Sequence, residues 1–91
     1  MSEMTNETKE IFCITQEECA EVTQALSKIF RFGIDSHYNG RTNIERLEEE
    51  TGDLLAMIDI MIQKGLVSDS NVNAARKAKK QKLEKWSSIK L

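Results

Sequence analysis

Two short acidic spacings carry the chemistry available to this chain: Glu18-Cys19-Ala20-Glu21 and Glu50-Thr51-Gly52-Asp53. Each puts carboxylates three residues apart, which are neighbouring positions on a helix surface. Both pairs also lie where a helix should be apolar. Measured as rotation from Glu18, Val22 is roughly 40° away and Ile29 and Ala25 roughly 20° to either side. Glu21 follows, roughly 60° around the same surface. In the second segment, Glu50 and Asp53 share a strip with Met57 and Ile60. If the two segments pack antiparallel, four carboxylates meet at one point. Such a cluster repels itself, and in a partly dry site it protonates or spreads unless a cation holds it. Oxygen-only ligands select hard divalent ions, Mg²⁺ with Mn²⁺ as a substitute, over zinc. A hard ion with positions open to water suits a polyphosphate, because it masks phosphate charge and lowers the pKa of a bound water. The competing reading is plain solvated charge, which is how Glu45, Glu48 and Glu49 are read.

The elements that must position these residues are helical. Apolar residues from about Glu7 to Phe32 (Ile11, Val22, Ala25, Leu26, Ile29) fall within one broad arc at helical spacing. Thr15 followed by Glu18 is a second possible start, so a break near Ile14 is one option. Gly33 ends this helix, and Asp35 to Arg41 reads as loop with an Asn39-Gly40 turn. Thr42 and Glu45 form a capping box for a second helix that runs by threes and fours (Ile44, Leu47, Thr51, Leu54, Leu55, Ile58, Met61, Ile62) to Gly65. A third helix is expected from about Asn71 to Trp86, capped by Asp69 or Ser70. No segment alternates with period two. The expected fold is all-α, with three to four helices per chain in a bundle completed by homo-oligomerisation.

Composition sets the bounds. The 91 residues make one small domain, with 40% apolar and 31% charged residues, no proline and five aromatics. Residues 1–8 are expected as a flexible N-terminus and 87–91 as a tail. Net charge is −2, but all seven basic residues after position 70 lie in the last 16, against a strongly acidic body. No run approaches the ~18 apolar residues of a spanning helix, and the polar start is not a signal peptide. Cys13 and Cys19 have no zinc-type companions, so reduced thiols and a cytoplasmic location are expected. A chain this short buries little by itself.

The same acidic residues carry a resemblance. Glu17-Glu18-Cys19-Ala20-Glu21 resembles the EExxE motif, and Glu50-Thr51-Gly52-Asp53-Leu54-Leu55 the ExxD motif, of the MazG-like all-α NTP pyrophosphatases. It extends through Ala25 to Gly33, Gly52 to Asp69 and Lys82 to Trp86, and is closest to the short, stand-alone, phage-type members. What the resemblance implies is a dimer or tetramer that hydrolyses a nucleoside triphosphate to monophosphate and pyrophosphate with Mg²⁺, in the host cytoplasm if phage-encoded. It implies metal ligands at Glu18, Glu21, Glu50 and Asp53, and at Glu17 a residue that orients a water or a second ion. No covalent nucleophile stands in these motifs, so metal-activated water attacking the α-phosphorus is the expected mechanism. Lys28, Arg31, Lys79 and Lys82 are the phosphate-side candidates.

Three other readings compete. Phosphoribosyl-ATP pyrophosphatases have a similar size and paired acidic motifs, although Gly52 and the Lys28 to Gly33 segment favour the nucleoside-triphosphate branch. The basic tail suits a nucleic-acid-binding module, against an acidic body and no recognised binding motif. A helical adaptor would leave the carboxylates without a role. His37, alone in a loop, reads as surface or as a base or ribose contact. Tyr38, Phe32 and Trp86 read as packing or as base-stacking residues. Cys19 reads as core, and Met57 and Met61 as bundle or dimer seam.

Overall fold

The computed structural model of the protein describes residues 3–91. It is all-α: α1 spans Asn6–Phe32, α2 Asn43–Gln63 and α3 Asp69–Trp86, with a short hairpin between α1 and α2. Thr5 starts α1 by accepting the backbone N–H of Thr8 at 3.0 Å. Within the stretch expected as a flexible N-terminus, positions 6–8 form the first turn of α1, while residues 1–2 lie outside the described ones. The capping box expected at Thr15 does not form and α1 runs unbroken. Thr15 instead returns its hydroxyl to the Ile11 carbonyl at 2.7 Å, the back-bond available to a mid-helix threonine.

The stretch expected as loop contains two strands of two residues each, β1 (His37–Tyr38) and β2 (Arg41–Thr42), paired antiparallel. Asn39 and Gly40 connect them with φ of 54° and 78°. Two successive positive φ values define the tight turn that matches strand twist, and Asn-Gly is its preferred pair. At Thr42 the expected box is complete: its hydroxyl accepts Glu45 N–H at 3.1 Å, and the Glu45 carboxylate accepts Thr42 N–H at 3.1 Å. Gly65, at φ 71°, closes α2. Ser68, rather than Asp69 or Ser70, caps α3 by accepting Asn71 N–H, so that helix begins two residues earlier than expected.

Helices α1 and α2 lie antiparallel, tied at both ends. At one end buried Asn43 donates its amide to the Gly33 carbonyl at 2.9 Å, and Ile44 N–H donates to the Ile34 carbonyl at 3.2 Å. At the other, Lys64 and Glu7 pair at 3.1 Å. Asn43 thus satisfies a carbonyl just past the end of α1 while starting α2. Asn43→Ala is expected to cost about 1–3 kcal/mol, seen as a lower urea midpoint at unchanged slope; no change would mean this tie is dispensable.

Little of the apolar surface is hidden. Among the described residues only Ile11 and Ala25 are buried apolar side chains, and Phe30 and Trp86 are 88% and 78% exposed. Cys19, expected in the core, is exposed, as is Thr51 at the expected centre of the α2 arc. No residue of α3 is buried. The radius of gyration is 16.2 Å, against about 12 Å for a compact domain of this length. No described helix is long and apolar enough to cross a membrane.

Candidate functional site

The antiparallel pairing brings three of the expected ligands together. Glu18 from α1 and Glu50 and Asp53 from α2 offer carboxylate oxygens that all lie within 4.8 Å of one another. The i, i+3 spacing sets Glu50 and Asp53 side by side, and Glu18 faces them because it lies inside the apolar arc of α1. Its Oε2 is buried and has no hydrogen-bond partner. Burial pushes the Glu18 carboxyl above its ordinary value, and the charges of Asp53, Glu21 and Glu17 push it further. Glu50 is raised likewise, by burial first and then by Glu21, Asp53, Glu18 and Glu49. Both shifts express the same situation, negative charge gathered where water is scarce.

Glu21 stands beside this trio. It is exposed, repels Glu18 and Glu50, and lines a small cavity of about 40 Å³ together with Glu50, Lys28 and Arg46. Glu17 lies at the rim, where Cys13 directs its thiol to the carboxylate at 4.0 Å. Lys28 is the one expected phosphate-side residue at a cavity. Arg31 is exposed and sits over the Phe32 ring at 4.9 Å, and Lys79 and Lys82 are exposed on α3; none of these three lines either described cavity.

A larger cavity of about 340 Å³ adjoins the small one, because Lys28 and Arg46 line both. Its remaining walls include Phe32 at the end of α1, His37 and Tyr38 of β1, and Asn43. Arg46 belongs to the site and was not among the sequence candidates. Its guanidinium donates to the Tyr38 carbonyl at 3.3 Å and lies 5.5 Å from the Tyr38 ring centre, while its Nε is buried without a partner. Position alone could have found it: Arg46 is four residues before Glu50 and shares its helix face. Glu45 and Glu49 are engaged elsewhere, Glu45 in the capping box and Glu49 in an ion pair with Arg41.

The donor set is all oxygen, converges from two helices, and contains a buried carboxylate oxygen with nothing to neutralise it. Those features fit a hard divalent cation. No family model, curated protein or solved structure matches the chain.

Proposed function

We propose that the protein is a Mg²⁺-dependent nucleoside triphosphate pyrophosphohydrolase that cleaves a (d)NTP to (d)NMP and pyrophosphate. The observation that carries this reading is the convergence of Glu18, Glu50 and Asp53, in which one Glu18 oxygen is buried without a hydrogen-bond partner, with Lys28 and Arg46 lining the cavity that Glu50 also lines. Glu18, Glu50 and Asp53 would hold the ion, and Glu21 would complete the set from the rim. Bound there, Mg²⁺ or Mn²⁺ supplies positive charge against phosphate oxygens and lowers the pKa of water in its shell. Lys28 adds fixed positive charge beside the phosphates. Glu17, exposed beside the cluster, orients water and accepts its proton as it attacks the α-phosphorus. Arg31, Lys79 and Lys82, exposed and lining neither cavity, remain phosphate-side candidates. A homo-oligomer is part of the same proposal, supported by the exposure of Leu26, Phe30, Leu55 and Trp86 in the single chain.

The test is product identification. The purified chain is incubated with each NTP and dNTP, and with phosphoribosyl-ATP, in Mg²⁺ and in EDTA. Equimolar monophosphate and pyrophosphate, formed only with the ion, is the expected result. Release of orthophosphate, exclusive use of phosphoribosyl-ATP, or no turnover would overturn it.

A further inference from the structure

The larger cavity has chemistry of its own. Its charged residues, Lys28 and Arg46, are the two it shares with the cavity beside Glu50, while its other walls include the rings of Phe32 and Tyr38. The buried Asn43 amide is already committed to the Gly33 carbonyl. A ligand matched to this arrangement is anionic at one end and flat and aromatic at the other. The volume, about 340 Å³, sits near the lower limit of the ~300–1,000 Å³ common for small-molecule pockets.

Arg46 joins the two halves. It holds the hairpin through the Tyr38 carbonyl and ring, and so fixes the aromatic wall relative to the carboxylates one turn along α2. Its Nε is a buried donor with no acceptor, a costly state that a ligand oxygen at the junction would relieve.

Resting on the pyrophosphohydrolase reading, the geometry points to the cavity between the C-terminal end of α1 and the hairpin as the nucleoside site, with Tyr38 and Phe32 stacking on the base and Arg46 bonding to an oxygen where sugar meets phosphate. The class of ligand is a nucleoside phosphate recognised mainly through its aromatic face. Stacking of this kind tolerates different bases, because every base has a π-face. Discrimination between bases then falls to the polar wall residues Ser36 and His37.

The test separates this site from the hydrolytic one by working without divalent ion. The labelled full chain is titrated in EDTA with the common nucleoside monophosphates and with ribose phosphate, followed by NMR shifts and by calorimetry. Monophosphates are expected to shift Phe32, His37 and Tyr38, and ribose phosphate to bind more weakly and leave these residues unmoved. Tyr38 is 64% exposed at the hairpin, so Tyr38→Ala should leave the fold intact. It should weaken monophosphate binding about 5- to 100-fold, while Tyr38→Phe retains binding. Absence of monophosphate binding, equal affinity for ribose phosphate, or full affinity in Tyr38→Ala would overturn the assignment. Tyr38-dependent binding without any hydrolysis would remove the hydrolase reading and leave the nucleoside site standing. Hydrolysis with an unchanged KM in Tyr38→Ala would do the reverse.

Discussion

Glu50→Gln and Asp53→Asn are each expected to reduce Mg²⁺-dependent pyrophosphate release by roughly a thousandfold or more. The estimate follows from the several kcal/mol that ion-borne charge stabilisation supplies to such a reaction, at about 1.4 kcal/mol per decade of rate. The amide is nearly the same size as the carboxylate, so shape is kept and charge is lost. Folding should not suffer. Glu50 is crowded by Glu21, Asp53, Glu18 and Glu49, and removing one charge relieves that repulsion. In EDTA the Glu50→Gln protein should therefore melt at or above the wild-type temperature. Lost activity with a raised ion-free melting point separates a ligand role from a structural one. A variant that melts lower, or retains turnover, would contradict the ligand assignment.

The second large effect is on the wild type. If the cluster binds a divalent ion only when folded, Mg²⁺ at about a hundred times its dissociation constant stabilises by about 2.7 kcal/mol. For a chain of this size that corresponds to a rise in melting temperature of roughly 10–20 °C. The pH dependence in EDTA has a definite sign. Glu18 and Glu50 both have folded values raised above 4.5, so over the interval between ordinary and raised values the folded state binds more protons than the unfolded one. Stability then increases as pH falls from neutrality through the raised values, and the gain is complete near the ordinary carboxylate value. Glu45 acts oppositely. Backbone and side-chain hydrogen bonds with Thr42 hold it below 4.5, so its contribution is present above the unfolded value and lost as pH drops through the folded one. The net expectation is a stability maximum on the mildly acidic side without ion. Saturating Mg²⁺ should reverse the slope, because protons compete with the ion for the same oxygens. Melting curves in EDTA and in Mg²⁺ across about pH 5–7 check both signs, and an EDTA profile that rises with pH would contradict the crowded cluster.

The sequence made some of this geometry readable and concealed the rest, for physical reasons. Glu18 inside an apolar arc and Glu50 beside Asp53 follow from helical rotation, a local property. The Thr42 box and the Asn39-Gly40 turn are local as well, each satisfied within a few residues. Thr15 shows the limit. Its spacing to Glu18 suited a helix start, but the apolar arc on both sides continued, and the hydroxyl bonded backward to Ile11 instead. Asn43 was not legible because its role depends on where α2 begins against the end of α1, and Arg46, though four residues before Glu50, gave no local sign of its bond to the Tyr38 carbonyl. An asparagine reaching the Gly33 carbonyl across ten positions leaves no periodic trace. Cys19 was read as core from its rotation, yet α1 buries only a narrow stripe of that arc.

That narrow stripe has a kinetic corollary. With only Ile11 and Ala25 hidden among the apolar side chains of the described residues, a solitary chain has little to hold it together, and if the proposed homo-oligomer forms it gains stability by mass action. Specific activity should consequently climb with enzyme concentration and fade on dilution. Under that proposal expression level would itself act as a threshold, with sparse copies left open to proteolysis and abundant ones switched on together.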